Sequence, residues 1–504
     1  MARHCSESFE LHKRLLEFVT VKQHVNNIQL AALVSDVTIR KRNVPAHYVV
    51  GIARDSASVN GAACRRLTVQ MTSACVLLCI CHTLCHVGEH FELTVLDQFM
   101  TPWLELVGGR SPHAGAKMLW KETVAPATVP GYSQVRWYAK AEIIFVIGEA
   151  GTRRLCDFLL ELEKRDYGDA TTKKMLEIYN TQGTVLRLQI AAMLDIRELV
   201  RITYELEGHR LEILLTYDRV ETLRAKGRAI TNKDDGVLPN VDGVLRRLME
   251  LKRGTKFEKY FHGHGVCVGT LEKLEDVEST LYPGHDRPAW LCKYGDGTQE
   301  HFEEEELRSG KVGPLPLGQD GKPVLIVRDL PERTAICDAL APGFAYLERR
   351  ITGQCDQQYS CVEMMMICSV ARAFDSNFAA HAAITPAFID TMQAITPLAA
   401  LGMLDKMKQE LPHYTVAVAN APDFDKTDVE AYTTAILKWW RTNGKSFPNW
   451  ALAARIVFSL SPNSAECERV FSLVKRLFGD EQLSSLADYL NAALKLNYHK
   501  RVVG

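Results

Sequence analysis

The sequence predicts an α/β core interrupted by a large all-α insertion, and this insertion contains a small all-β module. Short apolar runs at residues 47–54 and 75–80 alternate with helical patterns, as in an α/β fold. From about residue 150 to 250, and again from about 332 to 440, apolar residues recur at helical spacing. Between these stretches, residues 256–308 contain short strands separated by glycine turns.

Composition narrows the class of protein. The chain has 504 residues, of which 47% are hydrophobic and 24% are charged, as expected for a globular protein with several folding units. The net charge of −1 means that any DNA contact depends on local patches. Fourteen cysteines without regular spacing are typical of reduced thiols in an intracellular protein. The longest apolar runs are too short to span a bilayer, so we expect no membrane partner.

The core is predicted to begin with alternating strands and helices. In chain order, the predicted elements are a strand at 9–19, a helix at 26–37, a strand at 47–54, a turn and helix from 56, a strand at 75–80 and a helix from about His82. After the β module, the Gly- and Pro-rich stretch 310–323 predicts a linker, and residues 448–500 predict two further helices.

The most specific motif lies near the C-terminus, in the string 461–472. It contains Glu468, Arg469, Phe471 and Ser472, and an amphipathic stretch follows it. The string resembles the dimerisation segment of hAT-type DNA transposases, whose signature is a small-residue turn followed by Glu-Arg-x-Phe-Ser. The resemblance implies a ribonuclease H-like core, in which Glu468 is the third catalytic acid. The alternative is an ordinary helix start with Ser464 as its N-cap.

Asp55, at the end of a predicted buried strand, is the second candidate acid. The string from Arg54 to Asn60 resembles the family's sequence at its second metal-binding Asp. Such nucleases use carboxylates to hold two divalent metals, and the resemblance implies Mg²⁺ or Mn²⁺ on Asp55 and Glu468. The alternative is that Asp55 caps the helix that follows it.

Cys79 and His82 match the family's Cys-x-x-His motif. The resemblance places His82 near the scissile phosphate and gives Cys79 mainly a packing role. A zinc site is the alternative, because Cys81, Cys85, His86 and His90 follow closely. Structural zinc sites usually take their ligands from two separate segments, which argues against zinc here.

Arg136 and Trp137 match an Arg-Trp pair of the same family. The resemblance implies that the Trp stacks on a flipped base while a hairpin forms on the flanking DNA. Base stacking on an aromatic ring contributes about 1–3 kcal/mol per base, enough to hold an extruded base. The alternative is a buried core Trp. Weaker matches occur at 410–414, 438–440 and 447–450.

The β module resembles a Tudor-like or chromo-like barrel. Such barrels can hold a methylated Lys or Arg in an aromatic cage. The candidate walls are Tyr260, Phe261, Trp290, Tyr294 and Phe302. Because small barrels need bulky interior residues, we expect at least two of these rings to fill the core instead. The acidic run 303–306 is expected to be a solvated face, although it could also attract a basic histone tail.

The first catalytic Asp of the family has no counterpart in the sequence as printed. Asp36 falls in a predicted helix, and Glu7 and Glu10 are poorly placed stand-ins. The family's zinc-finger DNA-binding domain is not found before residue 75 either. A two-metal site without one carboxylate binds metal weakly, so we predict a chain that is catalytically incompetent alone.

The predicted function is therefore that of a transposase-derived nuclear protein that forms homodimers or higher oligomers and binds DNA. The alternatives are a fragment of an active cut-and-paste transposase and a chromatin-docking protein that acts through the Tudor-like module. The predicted domains are a partial ribonuclease H-like core lacking its first strand (1–145), a helical insertion (146–253), the Tudor-like barrel (254–312), a linker with further helical insertion (313–445), and the dimerisation region with the last core helix (446–504). The expected dimer stripe comprises Leu473, Phe478, Leu486 and Leu490.

Overall fold

The computed structural model describes residues 1–17, 24–108, 113–124, 137–208, 210–279, 281–309, 315–465, 467, 469 and 470. Its strands are β1 (Ala2–Cys5), β2 (Leu11–Arg14), β3 (Gly51–Arg54), β4 (Cys75–Leu78), β5 (Lys256–Phe261), β6 (Gly265–Glu278), β7 (Asp286–Tyr294), β8 (Gln299–Glu303) and β9 (Val324–Leu325).

The helices up to the β module are α1 (Asn27–Ser35), α2 (Ser58–Gln70), α3 (Ile80–Glu89), α4 (Thr94–Val107), α5 (Ala114–Thr123), α6 (Trp137–Ala150), α7 (Thr152–Lys164), α8 (Asp169–Asp195), α9 (Arg197–Leu206), α10 (Glu212–Thr231) and α11 (Pro239–Leu248). Those that follow are α12 (Glu304–Ser309), α13 (Pro331–Thr352), α14 (Val362–Ala371), α15 (Ser376–His381), α16 (Pro386–Thr391), α17 (Thr396–Ala400), α18 (Met403–Ala419), α19 (Val429–Asn443) and α20 (Pro448–Ser459).

The chain forms two compact units. Unit 1 consists of Met1–His90, Glu198–Ala225 and the described chain from Gly343 onward, and unit 2 consists of Phe91–Arg197 and Lys226–Pro342. None of the helices in the described ranges is long and apolar enough to cross a membrane.

Unit 1 contains two separate two-stranded sheets. β1 and β2 pair antiparallel, and β3 and β4 pair parallel, with Gly51 opposite Cys75 and Arg54 opposite Leu78. Because α2 connects β3 to β4, this part is a βαβ unit, and both strands end at the same edge. The strands and helix predicted between residues 47 and 80 are thus confirmed, although both strands are only four residues long.

The helix predicted at 26–37 is confirmed by α1. Asn26 caps its N-terminus and accepts from the N–H of Gln29, whose side chain bonds back to Asn26. Ala31 packs against Leu67 and other apolar residues of α2. Asp36 follows in a π-helical turn and pairs with Arg40 at 2.9 Å. Asp36 is therefore held by its own helix, as its sequence position predicts.

The weaker matches to the family, at 410–414, 438–440 and 447–450, lie together in one aromatic core of unit 1. Tyr414 stacks on Trp450, with ring centroids 4.0 Å apart, and Trp440 also stacks on Tyr414 at 5.8 Å. Both indole N–H groups donate to backbone carbonyls. Glu410 accepts from the N–H groups of Asn449 and Trp450 and so caps α20. These residues form a structural core.

The helices of unit 2 begin earlier in the chain than the sequence predicts. Trp103 of α4 meets Trp120 of α5 edge to face at 5.1 Å, and Trp120 meets Phe158 of α7 at 5.3 Å. The N–H of Leu96 donates to the side chain of Gln189 in α8. These partners belong to the helical region, and the compact unit that contains them begins at Phe91, inside the range 1–145 predicted for the core.

The β module is a five-stranded antiparallel sheet with the order β8-β7-β6-β5-β9. β9 lies beyond the predicted boundary at 312 and pairs with β5 through Phe257 and Leu325. The predicted hairpin turn is present between β7 and β8, where Gly297 has a φ of +89°. At Gly269, a Cβ would lie 2.2 Å from the Phe257 ring, so only glycine admits that ring into the core.

Candidate functional site

Asp55 follows β3 directly and begins the turn into α2. Its Oδ1 accepts from the N–H of Ala57 at 2.9 Å and from the side-chain amide of Asn60 at 2.6 Å. Among the described residues, no hydrogen bond involves its Oδ2. One oxygen of this half-buried carboxylate thus fixes the turn, while the other is open to a ligand. Asp55 does not cap α2, whose N-cap is Ala57 and has no side-chain cap hydrogen bond from the described residues. It fixes the turn before the helix and leaves one oxygen available for a ligand.

Arg54 reinforces this strand end, and nothing in the sequence motif singles it out. Its guanidinium donates to the Asp55 carbonyl at 3.0 Å and to the Gln358 carbonyl at 2.6 Å. A Cβ at Gly61 of α2 would lie 3.4 Å from the same guanidinium, an ordinary van der Waals contact, so α2 packs directly beside it. Burial lowers the pKa of Arg54.

Cys79 and His82 lie at the end of the neighbouring strand. The N–H of Cys79 donates to the Arg54 carbonyl at 2.7 Å, which ties the two strand ends together. Burial acts to raise the pKa of Cys79, but hydrogen bonds from Cys81 and His82 stabilise the thiolate and hold the pKa well below its ordinary value. Burial raises the pKa of Cys81 well above its ordinary value. Cys79 is thus a hydrogen-bond acceptor as well as a packing residue.

The segment that leads to Glu468 docks on the same edge. The N–H of Ser464 donates to the Cys79 Sγ at 3.2 Å, and the N–H of Ile80 donates to the Pro462 carbonyl at 2.9 Å. The Asn463 amide donates to the Leu206 carbonyl at 2.6 Å. A Cβ at Gly51 would lie 2.6 Å from Leu460, so this segment also crosses β3 closely.

The segment that follows β3, the segment that follows β4 and the segment around Pro462 and Ser464 therefore converge at one edge of the sheet. Glu468, Phe471 and Ser472 lie outside the described residues, as does the expected dimer stripe. Arg469 is described, and its guanidinium donates to the Glu207 carbonyl. The sequence motif does not predict the anchoring role of Asn463.

The described residues do not complete a metal site. Nowhere in the described ranges do three or more His, Cys, Asp or Glu side chains come together to hold an ion. Glu7 pairs with Arg455, and Glu10 pairs with His12 and Arg441, so both stand-in acids have partners of their own. Of the described candidate acids, Asp55 lies at the strand end with one oxygen that accepts no hydrogen bond from a described residue, and this single oxygen does not satisfy a two-metal centre.

The zinc alternative finds no support in the histidines of α3. His86 Nδ1 lies 2.6 Å from Glu89, and His90 Nδ1 lies 2.7 Å from the His86 carbonyl. The His90 ring also stacks on Tyr346 at 4.3 Å. These side chains are directed to protein partners.

Of the Arg-Trp pair, only Trp137 is described, because Arg136 lies outside the described residues. Trp137 opens α6 in unit 2, whereas Asp55 belongs to unit 1. Its half-buried ring meets Phe91 edge to face, with centroids 5.7 Å apart. One part of the indole packs, and the rest is exposed.

The aromatic interior of the β module already contains a cation. Lys259 is only 8% exposed, and its ammonium lies 4.5 Å from the centre of the Phe261 ring and 5.2 Å from that of Phe302. Both carboxylate oxygens of Glu300 lie 2.9 Å from this ammonium. Tyr294 donates to the same carboxylate at 2.7 Å. The sequence-based cage did not include Lys259.

The other candidate walls occupy different positions. Tyr294 and Phe302 belong to the core of the sheet, while Phe261 and Trp290 are half-buried against it and Tyr260 is also half-buried. Burial, followed by the neighbouring Glu300 carboxylate, raises the pKa of Tyr294. Two of the proposed cage rings thus serve the module's own packing.

The acidic run after β8 is largely bound within the chain. Glu303 is buried, bonds to Ser279 and faces Arg287 at 3.7 Å. Glu306 accepts from the N–H of Glu303, and Glu304 pairs with Arg308 at 2.7 Å. A basic peptide would have to compete with these contacts.

Residues 418–498 match the hAT family C-terminal dimerisation region. The match includes Glu468, Arg469, Phe471 and Ser472, together with Trp440 and Trp450 of the aromatic core. No curated protein matches the chain. The match supports a protein related to hAT-family transposases, and it supports self-association through this C-terminal region.

Proposed function

We propose that the chain is a hAT transposase-derived protein that dimerises through its C-terminal region, binds DNA and does not cut it by itself. The observation that carries the proposal is the docking of Pro462 and Ser464 at the strand end beside Asp55. In a chain whose residues 418–498 match the dimerisation region, this geometry brings the segment before Glu468 to the predicted second acid.

The topology of unit 1 supports a ribonuclease H-like origin. An antiparallel pair, a βαβ unit and an acid at the end of β3 are parts that such a core requires. The two pairs form separate sheets among the described residues. We propose that both derive from one ribonuclease H-like sheet, in which the family carries its first catalytic Asp on a further strand.

The proposed lack of activity rests on the carboxylates. Asp55 has one open oxygen, and Glu7 and Glu10 are paired elsewhere. Mg²⁺ or Mn²⁺ would supply water activation and leaving-group stabilisation, but the described donors do not fit two such ions. No catalytic step is therefore assigned to these residues.

The test is nicking of supercoiled plasmid by the purified chain in Mg²⁺ or Mn²⁺. We expect no nicking above that of the Asp55→Ala variant. Nicking that disappears in Asp55→Ala, but persists in the control variant Asp36→Ala, would contradict the proposed inactivity and favour an active transposase fragment.

DNA binding, and with it a nuclear location, is proposed from the family relationship. Affinity for a 30-bp duplex, followed by fluorescence anisotropy, should fall with rising salt because phosphate contacts release counterions. No detectable binding to the duplex, even at low salt, would indicate a dimerising scaffold without a nucleic-acid role.

A Tudor-like origin of the β module remains part of this proposal. The ammonium of Lys259 and the carboxylate of Glu300 occupy its aromatic interior, so we do not propose methyl-lysine reading for the unmodified chain. A trimethyllysine peptide should not bind detectably by calorimetry, and saturable binding lost in Phe261→Ala would contradict this.

A further inference from the structure

Unit 2 contains a cavity of about 590 Å³ among the helices α6, α7, α8 and α11. Its size falls in the range of small-molecule sites, which is roughly 300–1,000 Å³. One wall is apolar and includes Ile147, Ile190, Leu194 and Leu248. Such a wall can contact the non-polar part of a ligand.

Three arginines also line this cavity: Arg153, Arg187 and Arg247. No Asp or Glu is among the lining residues, all of which the structure describes. Arg153 and Arg247 are exposed and make no ion pair with any described residue. Guanidinium groups gathered without carboxylates favour binding of an anion.

Arg187 gives the most specific indication. Its Nε is buried and, among the described residues, has no hydrogen-bond partner, and its Nη2 reaches the Tyr179 hydroxyl only at 3.4 Å. A buried donor without a partner is unfavourable, so an arginine held in this state is prepared for an acceptor from outside the chain.

The ends of two helices complete the surroundings. α7 starts beside the cavity after Gly151, which has a φ of +85°. A Cβ added at Gly151 would meet no atom within 4 Å. None of the described side chains caps this helix start, so its positive end adds to the field of the arginines. The start of α11 differs, because the Asp195 carboxylate accepts from the N–H groups of Asn240 and Val241 there.

We propose that this cavity binds a small organic phosphate. The phosphate would bond to Arg153, Arg187 and Arg247, and the organic part would lie on the apolar wall. Phosphate suits a set of guanidinium groups because each can donate two parallel hydrogen bonds. Duplex DNA offers phosphates as well, but its bases are stacked inside the helix and are not free to fill the wall around Leu194.

The test is isothermal titration of the full chain with phenyl phosphate, inorganic phosphate and phenol. Phenyl phosphate should bind at least about tenfold more tightly than inorganic phosphate, and phenol should not bind detectably, because the site needs both the anion and the ring. Equal affinity for the two phosphates, or binding of phenol, would overturn the proposal.

Variants locate the site. Arg153→Gln and Arg187→Gln should each weaken phenyl phosphate binding at least about fivefold, whereas Arg154→Gln, a neighbouring exposed arginine outside the cavity, should leave it unchanged. Arg247→Gln is a further variant at an exposed position, where loss of folding is not expected. Unchanged affinity in all three cavity variants would overturn the proposal. So would a 12-bp duplex whose binding depends on these arginines while phenyl phosphate does not bind.

Discussion

The strand edge at Asp55 and the interior of the β module both bring charged side chains together, but they differ in where the partners come from. At the strand edge, Asp55 uses one oxygen for its own turn and leaves the other open. In the β module, Lys259, Glu300 and Tyr294 satisfy one another. The first arrangement is suited to an external ligand, and the second holds the sheet together.

This difference shows what a motif can and cannot predict. Both regions carry the residue types that a family resemblance requires. Of the two, only the strand edge has a carboxylate oxygen that accepts no hydrogen bond from a described residue. A single residue that was not among the candidate cage walls decides the case of the β module. Lys259 lies on the same face of β5 as Phe257 and Phe261, because successive side chains of a strand point to opposite faces, and this places it inside the sheet.

The Lys259→Met variant should produce the largest effect on this difference. Loss of the Lys259 ammonium leaves the Glu300 carboxylate without its cation and should lower the free energy of unfolding by about 2–3 kcal/mol. This is less than the roughly 3–5 kcal/mol expected when a fully buried pair is broken, because Glu300 is partly exposed. Urea unfolding with hydrogen exchange of residues 256–303 measures the loss. Lys293→Met, on the same sheet but exposed, should change stability little.

The double variant Lys259→Met/Glu300→Gln should recover part of that loss. It removes both charges and keeps an amide oxygen that can accept from the Tyr294 hydroxyl. No recovery would mean that the pair is not the reason for the instability of the single variant.

Lys13 of β2 provides a second buried lysine, in unit 1. Burial, together with the charge of Arg3, lowers its pKa to about 7. Between pH 7 and its ordinary value of 10.5, the unfolded chain holds a proton that the folded chain lacks, so stability should rise by up to about 1.4 kcal/mol per pH unit. Below pH 7 both states are protonated, and this contribution becomes constant.

The Lys13→Met variant should remove this pH dependence, and urea unfolding from pH 7 to 9.5 measures it. The exposed Lys41→Met variant serves as the control. An identical pH slope in the wild type and in Lys13→Met would show that Lys13 keeps an ordinary pKa in the folded chain.

Asn463→Ala tests the anchoring of the C-terminal segment at the strand edge. It leaves the Leu206 carbonyl without its donor and the N–H of Ala465 without its acceptor, at a cost of about 1–2 kcal/mol. The N–H of Ile80, which bonds to Pro462, should then exchange faster. Asn420→Ala, at an exposed position, should leave this exchange unchanged.

Substitutions at Asp55 should have the smallest effect on stability. Asp55→Asn retains an oxygen that accepts from the N–H of Ala57, so we expect a change within about 0.5 kcal/mol. Asp55→Ala loses the hydrogen bonds from Ala57 and Asn60 and should cost about 1 kcal/mol. Equal losses in both variants would indicate that the charge of Asp55, and not these hydrogen bonds, stabilises the turn.

The sequence predicts the parts of the fold that have a clear local pattern. α1 has a capping box, and β4 is an apolar run, so both follow from neighbouring residues. β1 and β9 were not predicted, because β1 is short and polar and β9 has two residues after a Pro-rich stretch. Their pairing depends on partners distant in sequence.

The sequence likewise predicts those residues of the candidate site that belong to a strand or helix with a clear local pattern. Asp55, Cys79 and His82 lie where their strand and helix predict, at one strand edge. The sequence could not predict that Ser464 would bond to Cys79, because almost four hundred residues separate them. Arg187 was also missed, since an arginine in a helix gives no indication of a cavity.

Sedimentation velocity of the full chain tests the central claim, self-association through the C-terminal region, most directly. At micromolar concentration we expect a mass of at least twice 56.6 kDa, and the double variant Leu486→Arg/Leu490→Arg should sediment as a single chain. A wild-type mass of 56.6 kDa at that concentration, or an unchanged mass in the variant, would contradict dimerisation through this region.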